Sequence, residues 1–204
     1  MKKMLIALTI LATIAGCKKK EQGHDYRIPQ GLKDYFNFHK GTYWVFVDSL
    51  NGNIDSFDVY SYADTVLYHT EKGVTSSGEV MLVRMPEYNS PPNDDHRNWD
   101  LSIETPDNIC GFIPDYPYHN AYDLTVGGYP FTLGNTAADI QREILSSVSV
   151  KGKTYLNVYR YRRTYAGGTY DEILTNADSG FIKISFNNQD THQILELQRA
   201  NIIR

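Results

Sequence analysis

The densest grouping of side chains able to exchange protons or hold a cation is Asn93-Asp94-Asp95-His96-Arg97-Asn98-Trp99-Asp100. Asp94, Asp95, His96 and Asp100 bring carboxylates and an imidazole into one short span, the donor types of an acid–base pair or of an oxygen- and nitrogen-lined metal site. The span lacks the glycine and spacing of a calcium loop. Pro91 and Pro92 just ahead of it exclude ladder pairing, so composition favours a solvated loop held by local turn hydrogen bonds. No metal or cofactor is assigned. Cys110 and His119 are a second nucleophile-and-base combination, but their surroundings match no cysteine-hydrolase signature, and an inert buried thiol is the expected state of Cys110. Gly-x-Ser-x-Gly, His-Glu-x-x-His and a Walker-type phosphate loop are absent from the sequence. No catalytic residue is therefore assigned. The expectation is a domain that is not an enzyme, with a hydrolase using the carboxylates of the 94–100 loop as the alternative.

Tyr116, Tyr118, His119, Tyr122 and Tyr129 form the best candidate binding surface. Aromatic faces stack on sugars and other flat apolar ligands, and Pro114, Pro117 and Pro130 would hold such a loop preorganised. The competing reading is a loop folded over the sheet as a lid on the core.

What positions these residues begins with export. Lys2 and Lys3 precede the apolar run Met4 to Ile14, which is followed by Ala15-Gly16-Cys17. A basic start, a short apolar core and a small-residue exit form a secretory signal, and the core is too short to span a bilayer as a helix. Ile14-Ala15-Gly16-Cys17 resembles the lipobox read by the lipoprotein signal peptidase. Residues 1–16 are expected to be removed and Cys17 to carry the lipid, whose acyl chains would hold the protein on a membrane. Residues 17–25, with Lys18, Lys19 and Lys20, read as a flexible tether whose lysines can sit against anionic headgroups. Position 18 is not aspartate, which favours the outer membrane. The expected location is the cell envelope.

Residues 26–204 are long enough for one domain with a core of its own. The chain has 20 basic and 24 acidic residues. Lys2, Lys3, Lys18, Lys19 and Lys20 all precede the domain, so the domain itself is distinctly acidic, and nucleic acid is excluded as a partner. The basic cluster Arg160-Tyr161-Arg162-Arg163 reads as a solvated strand face. With Cys17 consumed by lipid, Cys110 has no partner for an internal disulfide. The 16 tyrosines, 8 phenylalanines and 2 tryptophans suit half-buried sheets and binding surfaces alike.

The hydrophobic period is helical over Gly31 to His39 and then becomes two. Strands are expected at Thr42 to Ser49 and Asn53 to Ser61, joined at Asn51-Gly52 by a type I′ turn. Further strands are expected at Thr65 to His69, Glu79 to Met85, Trp99 to Glu104, Ile109 to Ile113, Thr154 to Arg163, Glu172 to Leu174, Phe181 to Phe186 and Gln193 to Leu197. The segment 114–134 reads as an aromatic loop with one short strand. Asp139 to Val150 supports both periods and is assigned a helical turn followed by a strand from Ile144. Lys151-Gly152 is a turn. Many short strands with one or two short helices predict an all-β, mainly antiparallel fold. A barrel or half-barrel is favoured because closure protects sheet edges, with a sandwich as the alternative.

Three stretches beyond the lipobox carry a resemblance. They are Gly41-Thr42-Tyr43-Trp44-Val45-Phe46-Val47-Asp48-Ser49 with Asn51-Gly52 and Asp55-Ser56, Lys151-Gly152-Lys153-Thr154-Tyr155-Leu156-Asn157-Val158-Tyr159, and Asp178-Ser179-Gly180-Phe181-Ile182-Lys183-Ile184 leading into Leu195-Glu196-Leu197. Together with the lipobox they cover about a third of the chain, and they resemble uncharacterised envelope lipoproteins common in Bacteroidota. The resemblance implies an exported β-rich domain and carries over no catalytic residue. It also implies O-glycosylation of Asp-Ser/Thr-aliphatic triplets on export, here Asp48-Ser49-Leu50 and Asp64-Thr65-Val66. The functional expectation is a membrane-anchored binding domain for a glycan, a peptide or an envelope protein, with a structural component of a surface complex as a further alternative.

Overall fold

The computed structural model describes residues 22–86, 98–105, 109–114, 122–125, 140–187 and 192–204. The signal, the lipobox with Cys17 and most of the tether lie outside the described residues, as do Asp94, Asp95, His96, Tyr116, Tyr118, His119 and Tyr129.

The chain folds as two packed, mostly antiparallel sheets. In order the elements are β1 (Asp25–Tyr26), α1 (Gln30–Phe36), β2 (Tyr43–Asp48), β3 (Ile54–Asp58), β4 (Ser61–Glu71), β5 (Val74–Pro86), β6 (Asn98–Glu104) and β7 (Ile109–Pro114). They continue with β8 (Tyr122–Thr125), β9 (Ile140–Val150), β10 (Lys153–Thr164), β11 (Tyr170–Asn176), β12 (Gly180–Asn187) and β13 (His192–Asn201). One sheet has seven strands in the order β3-β2-β13-β12-β11-β10-β9. The other has six: β5 pairs with β4 along one edge, while β1 and then β6 share its other edge, followed by β7 and β8. The all-β expectation holds. The sheets do not close into a barrel, so of the two architectures weighed from sequence the sandwich is the one adopted.

The alternation of side chains explains the layering. Met81, Val83 and Met85 on β5 stand directly opposite Ile103, Leu101 and Trp99 on β6, and all six are buried. A slip of one residue would turn this whole row to solvent, so the register is set by hydrophobic burial. From the seven-stranded sheet the facing row includes Leu195, Ile184, Ile173 and Tyr161, consecutive cross-strand neighbours on β13, β12, β11 and β10. The layers meet through aromatic contacts. The Trp99 ring lies 4.2 Å from that of Phe57 on β3 and 6.0 Å from that of Phe186 on β12.

The helix plugs one end of the sandwich. Pro29, with φ fixed at −57°, precedes it, and the Pro29 carbonyl accepts the N–H groups of Leu32 and Lys33 at 3.0 and 3.3 Å. Leu32 and Phe36 are fully buried, and the Phe36 ring meets Tyr159 of β10 edge-on at 6.4 Å. At the C-terminal end the Arg204 guanidinium donates to the carbonyls of Lys33 and Asn37 at 3.2 and 3.5 Å, satisfying acceptors that the helix leaves open.

Two local expectations are corrected. The Asn51-Gly52 connection is not a two-residue type I′ turn, because only Gly52 has a positive φ. The Asp48 side chain accepts from Leu50 N–H at 3.0 Å and Asn51 Nδ2 at 2.8 Å, and with Asp48 N–H donating to the Asn53 carbonyl this supports a longer loop. The two-residue turns with positive φ at both central residues are instead Lys72-Gly73 and Lys151-Gly152, the geometry that matches strand twist. Second, residues 140–143 are strand, not a helical turn. Ile140 to Glu143 pair with Arg163 to Arg160 on β10, and that ladder decides a segment whose own pattern fits either period.

Candidate functional site

The end of the sandwich closed by α1 also carries a solvent-open depression of about 490 Å³, lined by His39, Lys40, Tyr60, Ser61, Tyr62 and Ile203. Backbone bonds fix its floor. The His39 N–H donates to the Ile203 carbonyl at 2.8 Å, and the Thr42 hydroxyl accepts the Ile203 N–H at 2.8 Å while donating to the Ile203 carbonyl at 3.0 Å. The imidazole of His39 lies against the Tyr62 ring with centroids 4.3 Å apart.

An ion-pair cluster stands behind the Tyr62 wall. Residues Glu79, Met81, Val83 and Met85 share one face of β5, so the strand's period carries a carboxylate onto the apolar side, where it requires partners. Lys33 Nζ lies 2.5 Å from Glu79 Oε1 and 3.7 Å from Asp64 Oδ2. The Ile28 N–H donates to Glu79 Oε2 at 2.8 Å, and the Tyr62 hydroxyl donates to Asp64 Oδ2 at 3.4 Å. Burial alone would raise the Glu79 carboxyl, but the Lys33 ammonium and the Ile28 N–H outweigh it and hold the group below the usual range. Burial, reinforced by the Asp64 charge, pushes the Tyr62 hydroxyl up to about 12. Glu79 thus stays ionised and Tyr62 stays a donor at neutral pH.

Because Glu79 titrates lower in the folded than in the unfolded chain, its stabilisation is complete above its ordinary value of 4.5. That stabilisation disappears as the pH falls through the lowered folded value. Glu79→Gln is expected to cost about 2 kcal/mol at pH 7, between the values for exposed and fully buried pairs, since Lys33 is left without its closest partner. It should also flatten the acid side of the stability profile. Urea midpoints of both proteins at stepped pH check this, and parallel acid limbs would contradict it.

A second polar cluster lies inside the sandwich. Asp171 is fully buried; it accepts from the Tyr165 hydroxyl at 2.6 Å and the Asn187 N–H at 3.1 Å, and it stands opposite Arg163 in the ladder. Arg142 is buried with its guanidinium 5.6 Å from the Tyr161 ring centre. The sequence cluster Arg160-Tyr161-Arg162-Arg163 therefore divides between two faces. Tyr161 and Arg163 share the inner-face parity, whereas Arg160 pairs with Glu143 and Arg162 lies 3.8 Å over the Tyr170 ring.

Of the residues singled out from sequence, Asp100 lies on β6, opposite Arg84 and 3.7 Å from its guanidinium, and Tyr122 opens β8 while Cys110 lies on β7. The remaining members of both candidate sets fall outside the described residues. Among the described residues no group of three or more His, Cys, Asp or Glu is arranged to hold a metal ion. The His39–Tyr62–Lys33–Glu79 region escaped the sequence reading because its members come from three elements, α1, β4 and β5, and from the connection that follows α1. The one available signal was the parity of Glu79 with Met81, Val83 and Met85. Comparison with known proteins gives no matching family model, no matching curated protein and no matching solved structure.

Proposed function

We propose that the chain is a lipid-anchored envelope protein, attached through Cys17 and most consistent with the outer membrane, whose sandwich binds a ligand or partner without turning it over. The observation that carries the binding half is the open depression rimmed by Tyr60, Tyr62 and His39, whose neighbouring carboxylates are committed to Lys33. The tyrosine and imidazole faces suit stacking on a sugar ring or a flat side chain, and Lys40 on the rim favours a ligand with an acidic group. An acidic glycan or peptide of the envelope fits this chemistry. The lipobox and the three stretches that resemble Bacteroidota envelope lipoproteins support the anchored half. Ser49 and Thr65 are exposed, which suits their modification in the same reading.

The test uses the full acylated protein in lipid nanodiscs, titrated with chitohexaose, a polygalacturonate hexamer and a muropeptide while the His39 imidazole resonances are followed. At least one probe is expected to shift them saturably, and Tyr60→Ala should weaken that binding by about tenfold, the upper range of a single aromatic contact. His39 resonances indifferent to every probe at millimolar concentration would remove the depression as a receptor for this class.

A further inference from the structure

We propose that the turn-proximal half of the β4–β5 hairpin, around Leu67 and Tyr68, rests in the headgroup layer of the bilayer that holds the lipid anchor. The proposal builds on the lipid-anchored reading above and adds the orientation of the domain on the membrane.

The geometry begins with β1. It pairs in parallel with β5, Asp25 opposite Ser77 and Tyr26 opposite Gly78. Followed backward from Asp25, the chain therefore runs toward the start of β5, which is the hairpin turn Lys72-Gly73. Hydrogen bonds hold that path. The Ser77 N–H donates to the His24 carbonyl at 2.8 Å, the His24 N–H donates to Ser76 Oγ at 3.1 Å, and the Ser77 hydroxyl donates to Asp25. Gly23 lies so close to β5 that an added Cβ would stand 1.7 Å from the Thr75 carbonyl oxygen, leaving room only for glycine. Between Gly23 and Cys17 there are six peptide links, a reach of roughly 20 Å when fully extended. The lipid attachment point is thus tied to the turn end of this hairpin, far from the opposite end of the sandwich.

The same end carries apolar surface that the domain does not use. Tyr68 is 74% and Leu67 58% exposed. From Ala63 to Glu71 the residues of β4 are exposed on both faces, Val66 excepted, so the hairpin projects beyond the sandwich. Leu67, Gly78 and Tyr26 lie in one cross-strand row on β4, β5 and β1, and Tyr26 is itself 37% exposed. A tyrosine with an apolar body and a polar tip is the residue favoured at the water–lipid boundary, and Lys72 at the turn can reach phosphate groups while its stem stays apolar. Leu50 and Ile54 near another turn and Leu156 on β10 are also exposed, but among the described residues only the β4–β5 hairpin combines apolar exposure with the path of the tether.

The experiment places a tryptophan in the turn-proximal half of β4. Trp44 and Trp99 are buried, so Tyr68→Trp adds the one tryptophan open to an external quencher among the described residues. Tyr60→Trp, at the other end of the same hairpin, is the comparison. Each full-length acylated protein is reconstituted into phosphatidylethanolamine–phosphatidylglycerol vesicles whose acyl chains are brominated near the headgroup end. Emission from the added tryptophan at 68 is expected to fall about twofold, and that at 60 to stay within a few per cent of its value in unbrominated vesicles. Vesicle-bound protein with no quenching at 68 overturns the orientation while leaving the anchor intact. Protein that does not associate with the vesicles overturns the anchor itself. Protection at 68 from both bromolipid and aqueous acrylamide would mean that a second protein surface covers β4, and it too overturns the proposal. Leu67→Trp, read in the same way, guards against a local fault of the Tyr68 substitution.

Discussion

Trp99→Ala is expected to lower stability by about 3–5 kcal/mol, the range for deleting a large buried aromatic side chain. The ring is 2% exposed and touches both layers. It stands opposite Met85 within its own sheet and packs 4.2 Å from Phe57 and 6.0 Å from Phe186 of the other. Truncation would remove the contact that holds the layers together at this point, and ladders on either side limit collapse into the gap. Since domains of this size are stable by about 5–15 kcal/mol, a large share of the total would be lost. Urea denaturation of the purified protein measures it. A cost below about 1 kcal/mol would contradict the packing of the two sheets through this side chain.

Gly180→Ala is expected to be the other severe change, at about 3 kcal/mol, combining a left-handed backbone with overpacking. Gly180 has φ +64°, and a Cβ there would stand 2.9 Å from the Trp44 ring and 3.0 Å from Phe38. The tryptophan has little freedom to yield. Its indole N–H donates to the Ser179 carbonyl at 2.9 Å, and Phe38 and Phe181 flank it at 4.8 and 5.6 Å. Gly52 provides the contrast, with φ +77° and nothing within 4 Å of the added carbon, so Gly52→Ala should cost only the backbone share, about 1–2 kcal/mol. In a Trp44→Leu background the penalty at Gly180 should shrink toward the same share, because the clashing ring is gone. Equal penalties at 52 and 180 in the natural background would refute the close approach.

These two sites explain why part of the fold could be read in advance. The alternation of Trp99, Leu101 and Ile103, and of Ile182, Ile184 and Phe186, puts each buried row on one face of its sheet, and alternation is a local property of sequence. The turn end of β9–β10 was equally legible because Lys151-Gly152 supplies positive φ where two strands must twist together. What was hidden depends on distant partners. Asn51-Gly52 has the sequence of a tight turn, yet Asp48 captures Leu50 and Asn51 and opens the loop. Ile140 to Glu143 become strand because β10 offers a ladder. Barrel against sandwich was not decidable from element order, since both use the same hairpins and differ in whether the outer strands meet.

The candidate site shows the same division. Its one sequence mark was a carboxylate in the row of Met81, Val83 and Met85. Nothing in the chain near Glu79 indicates that Lys33, forty-six residues earlier, would reach it, nor that His39 and Tyr62 would stack. The tyrosine-rich segment 114–134 and the Asp94–Asp100 span were conspicuous because their chemistry is consecutive, whereas the depression at His39 is assembled from residues that only the fold makes neighbours. A surface assembled at the end of a sandwich is discontinuous in sequence by construction.

Both the envelope location and the proposed placement of the hairpin on a bilayer presuppose attachment through the thiol at position 17. Intact-mass analysis of the protein extracted from cell membranes tests that directly. A chain beginning at Cys17 and carrying diacylglyceryl and N-acyl mass on that residue is the outcome the account requires. A chain that retains Met1, or one that starts with an unmodified residue beyond the signal, would contradict it.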